Sequence, residues 1–154
     1  AVLWIVGTGD DVGRLQEKAL SISKPARSQI EFLGSLDQRS LDDRYARARV
    51  FAMPSRREGF GLVFAEAMRA GIPCVASHDA AAEVVLNEET GLIVPQEPAD
   101  IADACARLLV DDDLANRYSS AGRLRYEQEF TFSSFRQRLF GALGFTESIA
   151  AQDQ

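Results

Sequence analysis

Short apolar runs that alternate with helix-length segments constrain this chain more than any other feature. Ala1–Val6, Gln29–Leu33, Val50–Met53, Cys74–Ser77 and Gly91–Val94 have strand length and composition, and Gly or Pro directly follows all but the fourth. Helical patterns fill the intervals at Val12–Ile22, Leu41–Arg47 with Ser40 as N-cap, Leu62–Ala70 and Ala80–Leu86. Gly71 fits the position after a helix end, and Pro73 lies just beyond it. From Pro98 onward the pattern is helical throughout. Ile101, Cys105, Leu108 and Leu109 make one apolar face, a further helix covers Leu114–Gln128, and a last one runs over Ser133–Leu143. The alternation predicts an α/β fold, a parallel sheet with helices on both faces. Ligands bind such sheets beyond the carboxyl ends of the strands, so the loops after Val6, Leu33, Met53, Ser77 and Val94 are where function is sought.

Composition narrows the function classes. The chain has 154 residues, 46% hydrophobic and 26% charged, which suits one folded domain over 1–145 with a flexible tail over 146–154. Lys and Arg number 17 against 23 Asp and Glu, a balance opposite to that of a nonspecific nucleic-acid binder. No apolar run approaches the roughly 20 residues of a membrane-spanning helix. Two Cys and one His support neither a disulfide framework nor a His-rich metal site, so a cytoplasmic, metal-free protein is expected. The chain opens inside a strand pattern and without Met, and therefore reads as a piece of a longer protein.

The most informative stretch is Pro54–Gly61 followed by Leu62–Ala70. Between Glu58 and Arg69 the one charge is Glu66, among Leu62, Val63, Phe64, Ala65, Ala67 and Met68. A helix so apolar is expected to be buried nearly all round, and a carboxylate on it needs partners. An ion pair with a core Arg, or an unusual placement at the surface, would explain Glu66 without any ligand. The placement suggests a second use. A helix that starts directly after a strand offers unpaired N–H groups and the positive end of its dipole to a phosphate. Gly59 and Gly61 let a ligand approach the backbone around Phe60. Glu66, about one turn in, is suited to accept hydrogen bonds from the vicinal diol of a ribose. Glu58 would lie roughly 12 Å from it at helical rise, enough to grip another part of one extended ligand.

Glu58 and Glu66, with seven residues between them, resemble the E-x7-E signature of retaining nucleotide-sugar glycosyltransferases of family 4, which have the GT-B fold. The likeness extends, in order, through Val6-Gly7-Thr8-Gly9, Phe32-Leu33-Gly34, Met53-Pro54-Ser55, Ala70–Ser77, Glu83-Val84-Val85, Thr90–Pro95 and Phe130-Thr131-Phe132, over essentially 1–145. It implies the C-terminal, donor-binding half of a two-domain enzyme that moves a hexosyl unit from a nucleoside diphosphate sugar to an acceptor hydroxyl with retention. Glu58 would hold the hexose as the catalytic carboxylate and Glu66 the ribose. Backbone groups of Gly59, Phe60, Gly61 and Leu62 would cradle sugar and diphosphate, and main-chain groups near Ser35 and Leu36 would meet the base. The departing diphosphate would help accept the acceptor's proton, with no obligatory metal or cofactor. The family's diphosphate-binding Arg and Lys would lie on a strand–helix unit preceding Ala1, and the acceptor site in the N-terminal half, so the chain alone is expected to be inactive. A non-catalytic nucleotide-sugar module, or an epimerase or hydrolase of the same architecture, would carry the same residues. Asp79-Ala80-Ala81-Ala82-Glu83 departs from the family's usual Gly-Gly-x-Pro-Glu stretch.

Weaker signals have simpler explanations. Gly7-Thr8-Gly9-Asp10-Asp11-Val12-Gly13 approaches a dinucleotide fingerprint, but no acid ends the second strand and Asp10 and Asp11 would repel a pyrophosphate. Ser77, His78 and Asp79 are consecutive and cannot readily converge as a catalytic relay. Arg56 and Arg57 suit a solvated loop as well as a phosphate. Cys74 and Cys105 read as small buried hydrophobes, and Asp111-Asp112-Asp113 as a helix start.

Overall fold

The computed structural model describes residues 1–55, 59–78 and 83–144. It divides into two compact units, Ala1–Ala46 and the chain from Arg47 onward. In the first unit, strand β1 (Leu3–Val6) pairs in parallel with β2 (Ile30–Gly34). Helix α1 (Val12–Leu20) and a single turn, α2 (Lys24–Arg27), connect them. Val12, Leu15 and Ala19 are the half-buried positions of α1, as its spacing requires. Ile5, Leu15, Ala19, Ile30 and Phe32 line an apolar groove of about 220 Å³ within this unit.

Helix α3 (Gln38–Arg47) starts three residues before its apolar pattern does. The expected cap, Ser40, lies inside the helix, and Asp37 caps it instead, Oδ1 accepting the Ser40 N–H at 2.7 Å. A carboxylate suits that position because its charge also meets the positive end of the helix.

In the second unit, β3 (Phe51–Met53), β4 (Cys74–Ser77) and β5 (Gly91–Val94) form a parallel sheet in the order β3-β4-β5. Phe51 pairs with Cys74, and Cys74 with Gly91. Every residue of β4 is buried, as expected for a central strand covered on both faces. Helix α4 (Leu62–Arg69) leads from β3 to β4. Gly71, at φ +73°, ends it as its position predicts. The Gly71 N–H reaches the Met68 carbonyl at 2.9 Å and the Ile72 N–H the Ala67 carbonyl at 3.0 Å, the paired bonds of a Schellman stop.

After β5 come α5 (Pro98–Val110), α6 (Asp112–Arg125), a widened π-helical turn (Tyr126–Phe130) and α7 (Phe132–Ala142). Val75 and Leu92 of the sheet pack with Ala104, Leu108, Leu114 and Tyr118 of α5 and α6 as one core cluster. Phe64 of α4 is fully buried and meets Phe51 edge-on at 5.6 Å. Ala104 and Leu108 are the buried positions of α5, with Ile101 and Cys105 half-buried. Leu109 is exposed, a correction to the expected face, because it lies one residue off that stripe. The helix expected to reach Gln128 stops at Arg125, and Arg138 of α7 binds both the carboxylate and the carbonyl of Glu129 at the end of the π turn. Of the short helix expected over Ala80–Leu86, Ala80–Ala82 lie outside the described residues, and Glu83–Leu86 form a turn and loop. The predicted tail, 146–154, also lies outside them.

Candidate functional site

Parallel pairing brings the loops after Met53, Ser77 and Val94 to one edge of the second unit's sheet. Two side chains tie that edge together. Ser77, buried at the end of β4, donates its hydroxyl to the Ser55 carbonyl. Gln96, just past β5, donates Nε2 to the Pro54 carbonyl at 2.7 Å. Both bonds clamp the backbone that leaves β3 and runs toward α4.

The mouth of α4 is a glycine turn whose last residue, Gly61, is buried. Gly61, its N-cap, adopts φ +74° and ψ 40°, a left-handed conformation that costs a residue with a Cβ roughly 1 kcal/mol or more. No described side chain caps the helix, and the Phe64 N–H turns back to the Gly61 carbonyl at 2.9 Å. Gly59, Phe60 and Leu62 are exposed around this turn.

The expectation that α4 is buried nearly all round is corrected. Phe64, Ala65, Ala67 and Met68 face the interior, while Leu62 and Arg69 are exposed and Glu66 is half-buried. Leu62, Glu66 and Arg69 share one stripe at helical spacing, so the helix presents Glu66 on its outer side, one turn below the mouth. Its neighbours in sequence are apolar because they pack on β3, β4 and α6, not because they surround the carboxylate.

Gly59, Phe60, Gly61, Leu62 and Glu66 are thus brought together at the entrance to α4. Glu58 lies outside the described residues, as do Arg56 and Arg57. Ser35 and Leu36 belong to the first unit and directly follow β2, whose last residue, Gly34, accepts the Gly7 N–H at 2.8 Å. His78 is exposed after β4, and Asp79 lies outside the described residues. Asp111 caps α6, accepting the Leu114 N–H at 2.9 Å, and Asp112 pairs with Arg49. Cys74 is fully buried, and desolvation pushes its thiol up to about 12, which leaves it protonated and unreactive. Among the described residues no helix is long and apolar enough to cross a membrane.

The sequence profile of the family Glycosyl transferases group 1 matches residues 1–111. This chain is a group 1 glycosyltransferase by family. It is 38% identical over 132 residues to the GDP-mannose-dependent alpha-(1-6)-phosphatidylinositol monomannoside mannosyltransferase of Mycobacterium tuberculosis. That match takes in 80% of the chain and 34% of the relative, so the chain spans about a third of the relative's length. Sucrose-phosphate synthase from Thermosynechococcus elongatus superposes with a TM-score of 0.74 at 31% identity, over 91% of the chain and 39% of the synthase. The C-terminal domain of the group 1 family protein LpcC from Francisella tularensis gives a TM-score of 0.72 at 25% identity, over 81% of the chain and 66% of that domain. The α/β architecture expected from the alternation, and the GT-B C-terminal half that the resemblance implied, are both borne out.

The sequence reading missed Gln96 and Arg125, and took Phe130 only as part of the Phe130-Thr131-Phe132 likeness, not as a contact of Phe60. Its place directly after Val94-Pro95, at a strand tip, is the signal the sequence holds for Gln96. Arg125 carried none, because its carbonyl partners lie 41 and 42 residues earlier.

Proposed function

We propose that this chain is the donor-binding domain of a longer glycosyltransferase that moves a hexosyl unit from a nucleoside diphosphate sugar to an acceptor hydroxyl with retention. The observation that carries the reading is the uncapped, glycine-flanked entrance to α4 beyond β3, with Glu66 one turn inside, in a member of the group 1 family. A donor anion at that entrance meets N–H groups and the positive helix end, equivalent to about half an elementary charge. The same groups stabilise charge as the diphosphate departs. In this reading the backbone of Gly59, Phe60, Gly61 and Leu62 cradles sugar and diphosphate, Glu66 accepts from the ribose hydroxyls, and Glu58 orients the hexose. Main-chain groups near Ser35 and Leu36 meet the base. The mycobacterial relative is named as GDP-mannose-dependent, and GDP-mannose belongs to the same ligand class. The N-terminal half supplies the acceptor site, so the isolated chain binds nucleotide weakly and turns nothing over.

Calorimetry with GDP and GDP-mannose, repeated with UDP and UDP-glucose, tests the roles. Glu66→Gln is expected to weaken bare nucleotide and sugar nucleotide alike, by about 10- to 100-fold for a lost charged hydrogen-bond acceptor. Glu58→Gln is expected to leave the bare nucleotide near its original affinity and to reduce donor turnover in the longer protein. Equal losses of bare-nucleotide affinity from both changes would count against the assignment. Product analysis of the longer protein separates transfer, which makes a new glycosidic linkage, from epimerisation or hydrolysis.

A further inference from the structure

Arg125 closes α6 and reaches two places at once. Its Nε donates to the Val84 carbonyl at 3.0 Å and its Nη2 to the Glu83 carbonyl at 2.8 Å. Glu83 and Val84 are the first described residues after the loop that leaves the tip of β4. A planar guanidinium bonded to two successive carbonyls fixes the orientation of that backbone, as a single ammonium does not. The same guanidinium lies 5.4 Å from the ring centroid of Phe130 in the π turn. Phe130 in turn meets Phe60 edge-on, with ring centroids 6.2 Å apart.

Phe60 is half exposed and stands between Gly59 and Gly61, which give the turn little stiffness of their own. Its ring contact with Phe130 ties the turn to the segment that follows α6. Two further features set the arrangement. Gly122 lets α6 approach α4 closely, since a Cβ there would sit 3.3 Å from Met68 Cγ. The π turn then follows Arg125 directly and ends on Phe130.

We propose that Arg125 is a positioning residue for the donor. It couples the backbone at Glu83–Val84 to the Phe60 turn through Phe130, so that the backbone around two neighbouring strand tips holds the sugar diphosphate as one surface. This rests on the donor-site reading above.

The test uses the 154-residue chain. It compares Arg125→Lys, Phe130→Leu and, as a control, Arg123→Lys, an exposed position on the same helix whose Arg pairs with Glu127. The probes are GDP and GDP-mannose, or UDP and UDP-glucose if those are what the unmodified chain binds. Arg125→Lys is expected to weaken the sugar nucleotide about tenfold and the bare nucleotide by less than about threefold. Amide exchange should quicken together in 59–64 and 83–86 and stay unchanged in α5. Phe130→Leu should quicken 59–64 without 83–86 and weaken the sugar nucleotide alike, and it decides the matter if Arg125→Lys fails to fold. Arg123→Lys should change neither. Sugar-nucleotide affinity that survives both Arg125→Lys and Phe130→Leu overturns the inference and leaves the donor site standing. Equal losses for bare and sugar nucleotide, with faster exchange throughout, overturn it too, because they describe general loosening. An unmodified chain that binds none of the probes overturns the donor-site reading, and Arg125's role toward the donor falls with it.

Discussion

Gly91 has no room for a side chain. A Cβ there would stand 2.3 Å from the Cys74 carbonyl oxygen and 3.0 Å from Val85 Cγ1. The first of these is backbone of the neighbouring strand, so no rotamer relieves it, and β4 and β5 would have to part where both are buried. Gly91→Ala is expected to destabilise the second unit by about 2–3 kcal/mol, the range of overpacking in a closed core. A urea midpoint shifted at constant slope would show it, and an unchanged midpoint would mean that the strands separate easily. The Thr90-Gly91 pair therefore has a packing role apart from any ligand. Thr90 adds to it, its buried hydroxyl accepting the Leu86 N–H at 2.9 Å and closing the turn before β5.

Two helices of the first unit have a carboxylate at their start that acid neutralises: Asp37 caps α3, and Asp11 pairs with Arg14 of α1 without capping it. The Ser40 backbone N–H, followed by the Ser40 side chain, holds the Asp37 carboxyl below its ordinary 3.8. At α1, hydrogen bonding and then charge attraction from Arg14 hold the Asp11 carboxyl below the same value. Both groups are exposed, so solvent screens the effect and its size is small. The sign is fixed nonetheless. A carboxyl whose folded pKa is depressed contributes stability above its unfolded value, and that contribution is lost as pH falls through the folded value. The start of α3 is therefore expected to fray, and the Asp11–Arg14 pair at α1 to be lost, below about pH 4. The Ser40 amide in an NMR pH titration reports it directly. A Ser40 shift that stays flat from pH 6 to pH 2 would show that Asp37 does not cap α3 in solution.

At the scale of the whole molecule, a prominent exposed apolar feature among the described residues is the stripe on α7 and its end. Phe132, Phe135, Leu139 and Leu143 are 42% to 77% exposed. Their spacing puts these side chains in line, and among the described residues the line is exposed. Residues so exposed add little to the stability of this chain. Phe132→Ser combined with Phe135→Ser is expected to move its unfolding free energy by less than about 0.5 kcal/mol each. Self-association measured by sedimentation should fall at the same time, because contiguous apolar surface drives it. A large loss of stability would mean that the stripe is packed within the chain in solution.

Local chemistry made much of this legible in advance. The limits of β4 and β5, the stop at Gly71, the entry of α5 at Pro98 and the cap at Asp111 follow from φ restrictions, missing N–H groups and side-chain oxygens within a few residues. Glycine spacing and a lone acid likewise marked the entrance to α4. Tertiary structure alone decided which side of α4 faces outward, that Gly91 must lack a Cβ, and that Arg125 binds the Val84 carbonyl. Periodicity can say that a helix has a buried face. Which side chains share that burial, and which carbonyls come within reach of a distant guanidinium, depends on how whole elements pack across tens of residues of chain.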